Sequence, residues 1–103
     1  SIPIDEWVAE FDRLCVQTGQ KLSDSTLTET EFVEASNEAI AQMRAIGTPA
    51  TDADEAGVLL EVIDAQTNDT TLTDEQISDL DNQFLAAAQT LGISDECLGG
   101  ASG

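Results

Sequence analysis

The side chains that could do chemistry in this chain are its carboxylates and its two cysteines. The sequence has 21 acidic residues against three basic ones, and it has no histidine and no tyrosine. Histidine is the commonest general base and metal ligand near neutral pH, so its absence removes the usual catalytic and zinc-binding arrangements. Carboxylate pairs occur everywhere in so acidic a chain, so no pair is a catalytic signal by itself. We therefore predict a protein that is not an enzyme, with no metal site and no cofactor.

The cysteines, Cys15 and Cys97, stand near opposite ends of the sequence. This spacing fits neither a CxxC redox motif nor a zinc motif. Two interpretations remain: a disulfide between the two ends, or a buried thiol in the first helix and a loose thiol near the tail. An even number of cysteines in a small acidic domain favours the disulfide, and a disulfide indicates an oxidising compartment.

The net charge of −18 limits the classes of partner that the chain can bind. Nucleic acids and anionic membranes are excluded because both are bound through lysine and arginine. A solvated surface that maintains solubility, a cationic partner and adaptation to high salt all remain compatible with the charge. No apolar run approaches the roughly 20 residues of a membrane span. The chain does not begin with methionine, so we expect a trimmed chain or the product of signal-peptide cleavage.

The elements that position these groups are indicated by a repeat. Residues 26–32 (TLTETEF) and 71–77 (TLTDEQI) have the same pattern, 45 positions apart. Each predicts a helix start with a threonine N-cap, a glutamate or glutamine that completes a capping box, and a leucine that packs on an apolar fourth residue. The residues in these roles are Thr28, Glu31, Leu27 and Phe32 in the first copy, and Thr73, Gln76, Leu72 and Ile77 in the second. Gly47 and Gly92 then end both helices.

Apolar residues at helical spacing complete the pattern and predict helices over 5–22, 29–46, 53–67 and 74–91. Asp52 is the expected N-cap of the third helix, with Glu55 at N3, and Leu14 maps onto Leu59 by the same offset of 45. The predicted stripes contain Ile4, Trp7, Val8, Phe11, Leu14, Cys15, Thr18, Leu22; Phe32, Ala35, Ala39, Ile40, Met43, Ile46; Val58, Leu59, Val62, Ile63, Gln66; and Ile77, Leu80, Phe84, Ala87, Ala88, Leu91.

Four amphipathic helices with short polar connections predict an all-α protein, an up-down four-helix bundle made of two similar hairpins. We expect a single domain over residues 1–98 and a flexible glycine-rich tail over 99–103. In this bundle the fourth helix ends beside the start of the first helix. Cys15 lies about 15 Å along the first helix from that start. The residues from Ile93 to Cys97 can extend about 16 Å, so the geometry permits the disulfide.

Both ends of the chain resemble a family. EWVAEFDRLCVQTGQKL, with Asp12 shortly before Cys15, resembles the opening of small exported actinobacterial lipoprotein-like domains, and LGISDECLGG resembles their closing segment, where a Leu-Gly turn precedes a second cysteine. The resemblance covers only the two ends. It implies export, a location in the cell envelope or outside the cell, and a structural disulfide, and it implies no activity.

Two other resemblances fail on particular residues. TLTDEQISDLDNQF is similar to the first helix of an EF-hand, but the helical pattern continues where the calcium loop should begin. The loop-like stretch from Asp52 has alanine at position five and Ile63 in place of the final glutamate. Asp24-Ser25-Thr26-Leu27 resembles the Asp-Ser-Leu attachment site of acyl and peptidyl carrier proteins, but an extra threonine separates serine from leucine.

We therefore predict an exported acidic binding or structural module of the cell envelope, a monomer or homodimer, with an unknown protein or a cationic partner. Trp7, Val58 and Leu60 are possible contact residues, although a buried position is the simpler interpretation of each. The alternative is a bundle that carries a small ligand in its apolar interior. A cavity between the hairpins would favour that alternative, and a core filled by Trp7, Phe11, Phe32 and Phe84 would argue against it.

Overall fold

The structure, a computed structural model, describes residues 2–94 and residue 97. Its helices are α1 (Ile4–Leu22), α2 (Glu29–Ala45), α3 (Ala53–Asn68) and α4 (Asp74–Leu91). The predicted bounds differ from these by at most one residue. The all-α four-helix prediction is confirmed, and the predicted tail over 99–103 lies outside the described residues.

Helices that follow one another in sequence pack against each other: α1 on α2, α2 on α3, and α3 on α4. The side-chain amides of Asn37 in α2 and Asn68 in α3 bond to each other at 2.8 and 3.0 Å. Further along α2, the Arg44 guanidinium lies 3.2 Å from the carboxylate of Asp64, earlier in α3, so these two helices are antiparallel. The loops 23–28 and 69–73 therefore lie at one end of the bundle, with the first turns of α2 and α4. We call this the loop end.

The opposite end is held by the residues before α1. The backbone of Ile2 bonds to Thr48 and Ala50 on either side of Pro49, at 3.3 and 2.7 Å. The indole N–H of Trp7 donates to the Gly47 carbonyl at 3.1 Å. Gly47 has φ +101°, a left-handed conformation in which a side chain is strained. The turn after α2 is thereby fixed against the start of α1.

Both predicted capping boxes form at the loop end. The Thr28 hydroxyl accepts from the Glu31 amide, and the Glu31 carboxylate accepts from the Thr28 amide, both at 3.1 Å. Thr73 and Gln76 repeat the arrangement at 3.1 and 2.9 Å. These bonds satisfy backbone donors that the first turn of a helix leaves free.

The start of α3 differs from the prediction. Asp52 is the N-cap, but its backbone has φ +55° and its side chain makes no capping bond. A capping hydroxyl or carboxylate reaches the N3 amide from an extended backbone, and the left-handed turn of Asp52 removes that geometry. Asp52 is therefore at the predicted N-cap position but does not cap the helix with its side chain.

The core is built around Trp7 and Phe11, whose rings stack with centroids 5.1 Å apart. Leu14 and Leu59, equivalent by the repeat offset, are both buried. The other buried members of this core are Met43, Ala56, Val62, Phe84, Ala87, Ala88, Ile93 and Cys97.

Three residues of the predicted stripes lie on the surface. Phe32 is 46% exposed and Ile77 is 39% exposed, and Gln66 is exposed with its amide donating to Asp81 at 2.7 Å. Phe32 and Ile77 lie in the first turns of their helices, whereas the buried apolar residues of α2 and α4 begin at Ala39 and Phe84. The core ends before it reaches the loop end, so the helical stripe continues there without a neighbour to cover it.

The chain turns sharply after α4 and re-enters the core. Gly92 has φ +76°, and its amide bonds to the Gln89 carbonyl at 3.3 Å. The Ile93 amide bonds to the Ala88 carbonyl at 2.9 Å. These two bonds form a Schellman motif, in which the residue after the glycine packs back on the helix. Ile93 is accordingly buried beside Ala88.

The segment after this turn joins α1. The amide and hydroxyl of Ser94 donate to the Asp12 carboxylate at 3.0–3.3 Å. Cys97 then forms a disulfide with Cys15, with Cα atoms 5.5 Å apart and 82 positions between them in sequence. The disulfide that the geometry permitted is formed, and the bundle is closed by it.

Candidate functional site: an acidic and apolar surface at the loop end

The groups that could do chemistry mostly serve the fold. Both cysteines are in the disulfide. Within residues 2–94 and 97, no group of three or more histidine, cysteine or acidic side chains is arranged to hold a metal ion. Every buried side-chain nitrogen or oxygen of those residues has a hydrogen-bond partner. The functional candidates in the described chain are therefore surfaces.

The predicted contact residues are part of the core or packed against it. Trp7 is 1% exposed and stacked on Phe11, so it has no surface for a partner. Val58 and Leu60 are half-buried and pack against the core. Both keep part of their side-chain surface accessible on α3.

Two grooves lie on the surface. One follows α1 beside Asp12, Arg13 and Ser94, with a volume of about 470 Å³; its arginine bonds to Glu10 at 2.8 Å. The other has a volume of about 520 Å³ and lies at the end of α3 between Asp64 and Asp69. Both open to solvent, so neither is the interior cavity between hairpins that a ligand-carrying bundle requires.

The loop end has a duplicated geometry that the sequence pattern only partly revealed. Asp24 accepts from both the amide and the hydroxyl of Thr26, at 2.9 and 2.6 Å. Asp69 accepts from Thr71 at the same two distances. The threonine hydroxyl bond, with the amide bond second, holds the pKa of each aspartate below its ordinary value. The Asp-x-Thr spacing that the two loops share is the signal of this geometry in the sequence.

Phe32 and Ile77 project from this end among acidic side chains. They are the fourth residues of α2 and α4, they are equivalent by the repeat offset, and both are exposed large apolar residues. We define the loop-end surface as these two side chains with the exposed carboxylates of the adjoining loops and of the first eight residues of α2 and α4. The carboxylates are Asp24, Glu29, Glu31, Glu34, Asp69, Asp74, Glu75, Asp79 and Asp81.

The loop-end surface is strongly negative. It has nine carboxylates, and Lys21 is the one basic residue between positions 21 and 35 or 69 and 81. The N-termini of α2 and α4 contribute about half a positive charge each, which offsets about one carboxylate. Such a surface attracts a partner with positive charge, and its apolar side chains can bury against one.

No described helix combines the length and apolarity that a bilayer span requires. No protein-family model, no curated protein and no solved structure matches this chain.

Proposed function

We propose that this protein is a non-enzymatic, exported binding module that acts through its loop-end surface in the cell envelope or outside the cell. The observation that carries the proposal is the exposure of Phe32 and Ile77, at 46% and 39%, among the carboxylates of that end. Apolar side chains exposed within a polar rim also occur at protein-interaction sites.

Export is supported by the covalent closure of the fold. The Cys15–Cys97 disulfide joins α1 to the segment after α4, and structural disulfides persist in oxidising compartments. The acidic surface is compatible with the same location because it keeps a small domain soluble and unattached to anionic lipid.

The interior gives little support to the ligand-carrying alternative. Trp7 and Phe11 stack in the core, and Phe84 is also buried there, so aromatic side chains occupy the space between the hairpins. Phe32, the fourth aromatic side chain expected in that core, is at the surface instead.

The proposal is tested by fractionation of the native host combined with cross-linking in the intact cell. We expect the protein in the envelope or external fraction, cross-linked to another protein, while a cytosolic marker enzyme stays in the lysate. Recovery with the cytosolic marker, without a cross-linked adduct, would overturn both parts of the proposal.

A further inference from the structure

We infer that the loop-end surface binds a cationic amphipathic protein segment, with two apolar side chains flanked by lysine or arginine. This inference rests on the proposed binding function and specifies its partner. Phe32 and Ile77 are the apolar anchors on this side, each presented by the same capped helix start. Both anchors lie in the first turn of a helix that starts at the loop end, so a partner segment that spans this end of the bundle can offer an apolar side chain to each of them.

We expect a cationic partner because this chain has only three basic residues, too few to neutralise the surface itself. Arg13 lies 2.8 Å from Glu10 on α1, and Arg44 lies 3.2 Å from Asp64 on α3. Only Lys21 adjoins the nine carboxylates of the loop end. A segment with several lysines or arginines would complement them, and this complementarity would speed association as well as orient the segment.

A second copy of this chain is the poorer occupant. Two copies meeting at this surface would bring nine carboxylates against nine, between molecules that each have a net charge of −18. Like charges placed across an interface repel each other and oppose association. The apolar area of two exposed side chains per copy is small beside the roughly 800 Å² per partner of a standard interface.

The binding test uses two synthetic peptides of 18 residues with the same composition of lysine, leucine and alanine. In one, leucines recur at helical spacing; in the other, their order is scrambled. Titration calorimetry at 0.15 M salt should show that the patterned peptide binds about tenfold more tightly, because its leucines lie on one helix face and can bury together against the loop-end surface.

Single substitutions identify the anchors. Phe32→Ser and Ile77→Ser should each weaken binding of the patterned peptide by about tenfold. Leu85→Ser is the matched control, since Leu85 is 40% exposed on α4 but lies two turns beyond Ile77, outside the loop-end surface. Thermal melting checks each variant, and if Phe32→Ser fails to fold, Ile77→Ser carries the test.

Paired charge removals separate the local surface from the total charge. Glu34→Gln with Asp79→Asn removes two exposed carboxylates at the loop end, and Asp5→Asn with Glu6→Gln removes two exposed carboxylates at the far end of α1. The first pair should weaken peptide binding several-fold and reduce its salt dependence, and the second should change both much less.

Several outcomes would overturn the inference. Equal binding of patterned and scrambled peptides would indicate diffuse attraction to an acidic protein. Equal losses with Leu85→Ser and Ile77→Ser would place the contact elsewhere. A dimer in sedimentation velocity that Phe32→Ser dissociates would assign the surface to a second copy. The cross-linking result distinguishes the two proposals. If the protein is exported and cross-linked to a partner but binds neither peptide, the inference about the partner's chemistry is overturned and the proposed function stands.

Discussion

Removal of the Cys15–Cys97 disulfide should cost this bundle a large part of its stability. The disulfide closes a loop of 82 positions. The chain-entropy relation gives about 4.5 kcal/mol for a loop of this length, because the cross-link restricts the unfolded chain. Small domains have a free energy of unfolding of about 5–15 kcal/mol, so this contribution is a large fraction of the total.

The perturbation is made in two ways. Reduction of the native protein breaks the cross-link and keeps both side chains, whereas the double variant Cys15→Ala and Cys97→Ala also removes sulfur atoms from the core. Alanine is chosen because Cys97 is 1% exposed and a serine hydroxyl there would be buried. We expect the variant to be somewhat less stable than the reduced protein.

Urea unfolding followed by circular dichroism measures both. With a slope of about 1–3 kcal/mol per molar urea, the midpoint should fall by about 1.5–4.5 M. The unfolding should be repeated at 1 M salt, since the 21 carboxylates repel one another less when screened. A loss below about 1 kcal/mol after reduction would refute the entropic reasoning and indicate a bundle that closes without its cross-link.

Other substitutions test the local geometry. Gly92→Ala should lower the free energy of unfolding by about 1–2 kcal/mol, because Gly92 has φ +76°. Gly57→Ala should raise it by about 0.5–1 kcal/mol, because Gly57 lies inside α3 with open space where a Cβ would be. Thermal melts that gave both changes the same sign would contradict this. Asp12→Ala should lower the free energy of unfolding in urea by about 1.5–3 kcal/mol. Ser94→Ala should lower it less, because the backbone amide of residue 94 keeps its bond to the Asp12 carboxylate. Equal losses would count against the bond between that amide and Asp12. Carbon-13 NMR titration should place the pKa of Asp69 below 3.8, so its contribution to stability is complete above that pH and is lost as pH falls through the folded pKa. A titration midpoint at or above pH 3.8 would contradict the two hydrogen bonds that Asp69 accepts from Thr71.

The helix starts could be predicted from sequence because capping is local. Thr28 and Glu31 are three residues apart, and the bonds between them need no tertiary neighbour. Gly92 was identifiable for the same reason, since a glycine at a helix end indicates a left-handed residue. Asp52 shows the limit of the method: the motif is present, but the backbone direction imposed by the preceding turn prevents the capping bond.

The candidate site was less predictable because it depends on where the core ends. Phe32 and Ile77 have the helical spacing of core residues, and periodicity cannot distinguish a covered turn from an uncovered one. For Trp7 a buried position was the simpler expectation, and its bond to Gly47 and its stacking on Phe11 agree with that position. Whether each of these three side chains is buried depends on its position along the bundle, and local sequence does not encode that position.

The contact between Asp12 and Ser94 had no sequence signal at all. The two residues are separated by 82 positions and are brought together by the turn at Gly92. The disulfide could be anticipated because cysteine pairs are few, whereas one carboxylate among 21 could not be assigned a partner 82 positions away. Long-range polar contacts of this kind become visible only in the folded chain.

The most direct test of the account is the intact mass of the protein purified from its own host, with alkylation before and after reduction. A disulfide-closed, exported bundle predicts a monomer that takes up no alkylating label at first and two labels once it is reduced. Two labels without reduction would contradict both the closure of the bundle by Cys15 and Cys97 and the oxidising compartment inferred from it.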